Sequence, residues 1–127
     1  MNSVLLDGLA IGDGSLTVIA GPCLAETPEL CHEVAETMAS VCAELKVGYV
    51  FKASFDKANR TSHGTSRGGG IEAGLTILQD VKDRLGMPVT TGVHLPEQAS
   101  IAASVVDLLQ IPAFLCRQSD LLQAAAE

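Results

Sequence analysis

Half of the positive charges of this 127-residue chain lie within residues 52–67, although the chain carries a formal net charge of −7. They are Lys52, Lys57, Arg60 and Arg67. The segment follows the apolar run that ends at Phe51 and is rich in Ser, Thr, Asn and Gly. Lys provides a compact charge and Arg a planar set of N–H donors for phosphate or carboxylate oxygens. The pattern indicates a site for a small anionic substrate, and a solvated charged loop is the alternative.

Three further candidate site residues lie at or just after the ends of apolar runs that predict strands. A thiolate at Cys23, after Gly21-Pro22, can be a metal ligand or a nucleophile, whereas a buried inert Cys is the commoner case. His94 can bind a metal, carry a proton or contact a phosphate, or be structural. The amide of Gln110 can orient a carboxylate or a hydroxyl, or only cap its strand. These residue types are compatible with a site but do not establish its chemistry.

The elements that would position these residues alternate as β-α-β-α-β-α-β-α. Strands are predicted at 16–20, 47–54, 89–93 and 105–111, and helices at 27–46, 71–85, 96–104 and 113–127. Continuous apolar strands that are each followed by a helix indicate an α/β fold with a parallel sheet covered by helices. In such folds ligands bind at the C-terminal ends of the strands, where the polar residues are found here.

Three local details are also predicted. Residues 4–6 are expected to pair with the first strand as a hairpin, and Gly21-Pro22 to end that strand, which should be buried. The first helix has an apolar stripe that is expected to face the core. The stripe consists of Leu30, Val34, Met38, Val41 and Leu45. His32 on the same helix is expected at the surface, and Cys31 and Cys42 are expected to be buried free thiols.

Composition excludes several classes of protein. At 47% hydrophobic and 18% charged residues the chain should bury a core, and its acidic balance argues against a nucleic-acid or membrane-surface protein. No apolar run reaches the length of a membrane span. The first residues lack the features of a signal peptide, so a cytoplasmic protein is expected.

Because four βα units are half of a (β/α)₈ barrel, we expect residues 1–127 to be the N-terminal half of one such domain in a longer protein.

Four segments of the chain together resemble the 3-deoxy-D-manno-octulosonate 8-phosphate synthase family, also named 2-dehydro-3-deoxyphosphooctonate aldolase. They are residues 19–23, 51–60, 90–94 and 110–118. The resemblance runs in order along nearly the whole chain and covers the N-terminal half of that family. It implies a (β/α)₈ TIM barrel, a homotetramer and an enzyme of lipopolysaccharide biosynthesis. The implied reaction condenses phosphoenolpyruvate with arabinose 5-phosphate and releases phosphate.

The same resemblance assigns roles to individual residues. On the phosphoenolpyruvate side it places Lys52, Ser54, Lys57 and Gln110. On the arabinose 5-phosphate side it places Asn59, Arg60 and Thr61. Cys23 resembles the metal ligand of the metal-dependent class, so a divalent metal ion is expected as cofactor, with His94 as a further possible site residue and the other ligands outside this chain. The family usually has Asp at the position of Gly92 and Glu at that of Leu95.

Two rival functions are compatible with parts of this pattern. The related 3-deoxy-D-arabino-heptulosonate 7-phosphate synthases use erythrose 4-phosphate, but their loop typically reads Lys-Pro-Arg-Thr where this chain has Lys57-Ala58-Asn59-Arg60. The other rival is a truncated, non-catalytic homologue that only binds phosphorylated ligands. The end of the chain inside a helical pattern and the departure at Gly92 favour that rival, whereas the intact substrate string favours the octulosonate enzyme.

Overall fold

The computed structural model describes residues 2–57 and 69–127. Its strands are β1 (Val4–Leu6), β2 (Leu9–Ile11), β3 (Thr17–Leu24), β4 (Gly48–Ser54), β5 (Val89–Gly92) and β6 (Leu108–Gln110). Its helices are α1 (Pro28–Leu45), α2 (Ile71–Leu85), α3 (Pro96–Ala103) and α4 (Ser119–Ala126), with a 3₁₀ turn at Ala113–Leu115.

The strands β3, β4, β5 and β6 form one parallel sheet in that spatial order. This confirms the predicted α/β fold with a parallel sheet. Side chains alternate across β4, so Phe51 and Ala53 pack with Leu78 and Val81 of α2 in the core. Lys52, between them in sequence, belongs to the opposite face of the sheet, away from the helices.

The N-terminal hairpin differs from the prediction. β1 pairs antiparallel with β2 and not with β3. The two residues between them, Asp7 and Gly8, have φ angles of 45° and 85°, which suit the tight hairpin turns that match strand twist. The hairpin packs near the start of β4, where a Cβ on Gly48 would lie 2.8 Å from Cδ1 of Leu9.

β3 also differs from the prediction, because it continues through Gly21-Pro22 to Leu24. The register with β4 shifts between Ala20 and Cys23, so the proline falls in an irregular stretch where it need not donate to the ladder. The strand was predicted to be buried, but it is an outer strand of the sheet, and Ile19 is 47% exposed.

α1 has the predicted limits, but a different face is buried. Thr27 caps the helix by accepting a hydrogen bond from the backbone N–H of Leu30 at 3.2 Å. The buried positions are Cys31, Ala35 and Cys42. They form a face of the helix adjacent to the predicted stripe. Within that stripe Leu30, Val41 and Leu45 are exposed, whereas Val34 and Met38 are partly buried.

The C-terminal elements are shorter than predicted. β6 spans three residues because the N–H groups of Val105 and Val106 still bond to the carbonyl of Ala102 at the end of α3. The predicted helix 113–127 is divided into the 3₁₀ turn and α4. Among the helices of the described ranges, none is long and apolar enough to cross a membrane.

Candidate functional site

A cavity of about 190 Å³ lies at the C-terminal ends of β4, β5 and β6, on the face of the sheet away from the helices. Its walls contain Lys52, Ser54, Asp56, Lys57, Gly92, His94, Gln110, Pro112, Ala113 and Phe114. The structure therefore brings together five residues that the sequence singled out from three separate segments. They are Lys52, Ser54, Lys57, His94 and Gln110.

The β4 wall of the cavity carries the positive charge. Lys52 and Ser54 are two residues apart in the strand, so they share its cavity face, and Lys57 follows directly in the loop. Nζ of Lys57 donates a hydrogen bond to Oγ of the buried Ser54 at 3.1 Å. With two ammonium groups against the single carboxylate of Asp56, the wall favours an anionic ligand.

The opposite wall is formed by neighbouring residues of β5 and β6. Gly92 is in register with Gln110, and the carbonyl of Gln110 accepts a hydrogen bond from the N–H of Val93 at 3.0 Å. Two residues earlier in each strand, Oγ1 of Thr90 donates a hydrogen bond to the carbonyl of Leu108 at 2.8 Å. These bonds fix the strand ends, and Gln110 lines the same cavity as Lys52 and Lys57.

His94 is held by two residues that sequence reasoning missed. Oε1 of Gln98 accepts hydrogen bonds from the N–H of His94 at 2.9 Å and of Leu95 at 3.1 Å. The ring of Phe55 meets that of His94 edge to face, with the centroids 6.0 Å apart and the planes at 85°. The signal for Gln98 was available, because Gln is a favoured residue in the first turn of a helix, where its side chain can bond to free N–H groups.

Close packing of glycines fixes β3 and α2 against β4. A Cβ on Gly21 would overlap the carbonyl group of Lys52, and one on Gly74 would overlap Cβ of Phe55. The phenol of Tyr49 adds a hydrogen bond of 3.1 Å to the carbonyl of Ala20, and burial raises its pKa to about 12, so the donor keeps its proton. The sequence places Gly74 inside a predicted helix and Gly21 at the end of a predicted strand, but neither pattern shows these close contacts.

Cys23 lies at the edge of this arrangement. It is exposed, pairs with Ala53 in the sheet and has a φ of 73°, a region that residues other than glycine seldom occupy. It is not among the residues that line the cavity. By contrast, Cys31 and Cys42 are buried free thiols as predicted, and burial raises the pKa of Cys31 to about 11.

The described ranges 2–57 and 69–127 hold no group of three or more His, Cys, Asp or Glu side chains that could bind a metal ion. A thiolate is a suitable ligand for a borderline or soft divalent ion, and the exposed Cys23 fits that role as a single donor. The predicted sugar-phosphate residues Asn59, Arg60 and Thr61, and also Arg67, lie outside the described residues.

The sequence matches the model of the DAHP synthetase I family over residues 3–127. A curated relative from Synechococcus sp., named 2-dehydro-3-deoxyphosphooctonate aldolase, is 57% identical over 121 residues, which are 94% of this chain and 43% of the relative. Relatives of the same name from Cyanothece sp. and Desulfatibacillum aliphaticivorans are each 53% identical, over 93% and 94% of this chain and 44% of their own lengths. The chain thus spans less than half the length of these relatives. The family resemblance seen in the sequence is confirmed.

Proposed function

The chain belongs to the DAHP synthetase I family, and from this we propose that its protein condenses phosphoenolpyruvate with arabinose 5-phosphate. The products are 3-deoxy-D-manno-octulosonate 8-phosphate and inorganic phosphate, on the route to lipopolysaccharide. The observation that carries the proposal is the cavity in which Lys52, Lys57 and Gln110 converge at strand ends. The names of the relatives favour the octulosonate reaction over the heptulosonate one.

In the proposed reaction C3 of phosphoenolpyruvate forms a bond to the aldehyde carbon of the sugar, whose oxygen takes a proton. Water adds at C2, and the C2–O bond breaks later to release phosphate. Lys52 and Lys57 balance the charge of the carboxylate and phosphate of phosphoenolpyruvate, while Ser54 orients Lys57. The amide of Gln110 contacts the same substrate without adding charge. Holding two anionic substrates in register provides much of the rate enhancement in such a reaction.

The arabinose 5-phosphate side is proposed from the sequence string alone. Asn59, Arg60 and Thr61 follow Lys57 within four positions, so the same loop would supply both substrate subsites. The planar guanidinium group of Arg60 can donate two parallel hydrogen bonds to a terminal phosphate.

We also propose a divalent metal ion with Cys23 as one ligand. Such an ion, when bound, polarises an oxygen of a substrate or of water. The left-handed backbone at Cys23 supports a functional role, because strained conformations persist mainly at functional sites. The described residues supply this single donor, so the remaining ligands belong to the rest of the protein. Metal-stripped protein should lose activity, and Cys23→Asn should weaken metal binding in a direct titration.

For the whole protein we propose a (β/α)₈ barrel, with this chain as its first four βα units. The outer strands β3 and β6 each have one neighbour in the part of the sheet that is described. The exposed stripe of Leu30, Val41 and Leu45 lies on the side of α1 opposite His32 and Glu36, which face α2. A further helix on that side would cover the stripe. A homotetramer in the cytoplasm is part of the same proposal.

The test of the reaction is to compare kcat/KM for arabinose 5-phosphate and erythrose 4-phosphate in the full-length protein. We expect a clear preference for arabinose 5-phosphate. A preference for erythrose 4-phosphate would show that the heptulosonate rival is correct. Binding of phosphorylated ligands without turnover of either sugar would support the non-catalytic homologue.

A paired substitution tests the cavity itself. Lys57→Gln should lower kcat/KM for phosphoenolpyruvate by about 10- to 100-fold, as expected from the roughly 1.5–3 kcal/mol of a hydrogen bond to a charged group. Lys46→Gln removes an exposed charge at the C-terminal end of α1, away from the cavity, and serves as the control. Equal effects of the two substitutions would contradict a substrate role for Lys57.

A further inference from the structure

The segment between β5 and α3 carries His94 into the candidate site and has an unusual helix cap. Leu95, the residue before the first turn of α3, has an extended backbone and an apolar side chain that makes no capping hydrogen bond. Ser, Thr, Asp and Asn are the residues that normally accept from the free N–H groups at this place. Here the acceptor is supplied by Gln98, three residues further along the chain.

The amide oxygen of Gln98 serves two backbone donors at once. Oε1 accepts from the N–H of His94 at 2.9 Å and from that of Leu95 at 3.1 Å. Because both partners are donors, the oxygen of the amide and not its NH₂ group must face them. The backbone N–H of Gln98 in turn donates to the carbonyl of Leu95 at 3.0 Å. Gln98 therefore fixes the backbone from which the side chain of His94 projects.

The imidazole of His94 is held from two further directions. The N–H of Val93 donates to the carbonyl of Gln110 at 3.0 Å, which ties the preceding residue to β6. The ring of Phe55 meets the imidazole edge to face, with the centroids 6.0 Å apart. Gln98 is the restraint that acts on the backbone of His94 itself, and His94 lines the cavity.

We propose that Gln98 is a positioning residue that acts through His94 on phosphoenolpyruvate, an inference that rests on the proposed function. His94 lines the cavity in which Lys52, Lys57 and Gln110 are assigned to that substrate. An N–H of the imidazole donates a hydrogen bond to the carboxylate or phosphate of phosphoenolpyruvate. Small displacements of such a contact weaken its effect strongly, so the restraint on the backbone of His94 controls how well this substrate is bound.

A double-mutant cycle in the full-length protein separates this role from ordinary helix capping. Gln98→Met keeps the length of the side chain but replaces the amide by a thioether, which is a weak acceptor. His94→Ala removes the imidazole but keeps the backbone N–H that Gln98 caps. The wild type, the two single variants and the double variant are compared in three measurements. These are thermal unfolding, kcat/KM for phosphoenolpyruvate at saturating arabinose 5-phosphate, and direct titration with phosphoenolpyruvate.

The measurements of stability and of substrate binding should respond differently. Gln98→Met should lower the unfolding temperature by a similar amount with and without the imidazole, because the lost hydrogen bonds go to the backbone. In the presence of His94 it should lower kcat/KM and the affinity for phosphoenolpyruvate by about three- to tenfold. In the His94→Ala background the further loss should be below about twofold, since no imidazole remains to be misplaced.

A matched control uses a second glutamine whose hydrogen bond lies away from the cavity. Gln79 on α2 donates to Oδ1 of Asp83 at 2.8 Å on the surface. Gln79→Met should leave kcat/KM and the affinity for phosphoenolpyruvate within about twofold of the wild type. If Gln98→Met does not fold, Gln98→Asn takes its place in the same cycle with the same criteria, because its shorter amide weakens the cap without removing all polar character.

Three results would overturn the proposal. They are unchanged affinity and kcat/KM for phosphoenolpyruvate in Gln98→Met, unchanged affinity in His94→Ala, and equal losses from Gln98→Met in the two backgrounds. Equal losses would show that Gln98 acts through the stability of α3 alone.

Failure of the proposed function is distinguishable from failure of this inference. Absence of condensation with every aldose phosphate would overturn the reaction, whereas the role of Gln98 would still be decided by the titrations with phosphoenolpyruvate. Absence of phosphoenolpyruvate binding would overturn both. A protein that condenses the two substrates but loses activity additively in the cycle would overturn the role of Gln98 alone.

Discussion

His32 is a residue whose partner could not be anticipated from its own helix. Nε2 of its partly buried ring donates to Oδ2 of Asp80 on α2 at 2.6 Å, so the prediction of a surface residue is wrong. Nε of Arg84 lies 2.9 Å from the other oxygen of Asp80. The hydrogen bond from His32 is the main cause that holds the pKa of the Asp80 carboxyl below its ordinary value, and the Arg84 charge adds to it. The cluster joins α1 to α2.

The lowered pKa of the Asp80 carboxyl predicts how this residue's contribution to stability depends on pH. A carboxyl with a lower pKa in the folded than in the unfolded state stabilises the fold above its ordinary pKa of 3.8. That contribution is lost as the pH falls through the lowered folded-state pKa. Asp80→Asn should therefore be less stable than the wild type at neutral pH, and the difference should shrink in acid. Urea unfolding at a series of pH values measures it.

A double-mutant cycle tests whether His32 is the partner responsible. His32→Leu should reproduce much of the effect of Asp80→Asn, and the double variant should lose less than the sum, because contacting residues are not additive. Additive losses at neutral pH would contradict the coupling. A difference between wild type and Asp80→Asn that stays constant into acid would contradict the pKa shift.

More of the residues that line the site could be predicted from the sequence than of the residues that hold them in place. Lys52, Ser54 and Gln110 were found because strand ends meet in a parallel sheet. Lys57 was found in the cluster of positive charges, and the resemblance joined the four residues into one set. Phe55 and Gly74 act across elements, and no local pattern marks such contacts, whereas Gln98 acts within the first turn of its own helix. The functional meaning of the string 58–62 came from resemblance, since its geometry lies outside the described residues.

Among the elements, the limits of helices were predictable where local chemistry ends them. α2 was predicted with its observed limits because Gly86 has the left-handed conformation that ends a helix. The buried face of α1 was not, since Leu30, Val41 and Leu45 form as regular a stripe as Cys31, Ala35 and Cys42. Which face meets the sheet depends on tertiary packing, which sequence periodicity alone does not encode.

The packing of α2 on the loop after β4 gives a prediction at Gly74. A Cβ there would overlap Cβ of Phe55 and lie 2.9 Å from its Cα, so Gly74→Ala must move the helix or the loop. Overpacking typically costs about 1–3 kcal/mol, which exceeds the gain of about 1 kcal/mol in helix propensity. Gly74→Ala should lower the free energy of unfolding, whereas Gly92→Ala, with contacts at 3.8 Å, is the matched control.

Gly74→Ala should also change the surroundings of His94 in the candidate site. Phe55 contacts the ring of His94, so a displaced Phe55 should shift the ring resonances of His94 in NMR spectra, since an aromatic ring perturbs nuclei that lie beside it. Gly92→Ala provides the comparison for stability only. A Gly74→Ala protein that is more stable than the wild type, as helix propensity alone predicts, would contradict the close packing of α2 against Phe55.

For the molecule as a whole, the surface around β3 is one part that the described elements leave uncovered. Leu16 and Leu45 are 65% and 68% exposed, and Ile19 is 47% exposed on an outer strand. Open strand edges and clustered apolar side chains promote association between chains. We therefore expect a protein made of residues 1–127 alone to self-associate, and its condensation activity to be absent, because Cys23 is the single proposed metal ligand that it supplies.

Paired substitutions locate the surface responsible. Ile19→Lys places a charge beside the open edge of β3 and should shift the sedimentation profile of the 127-residue chain towards the monomer. Ile101→Lys changes a residue of equal exposure, 47%, on α3, and should leave association unchanged because Ile101 lies on a helix and not on an outer strand. If the unsubstituted chain sediments as a single monomeric species, the surface around β3 does not need a covering element, and the argument for four further βα units beside it loses its structural support.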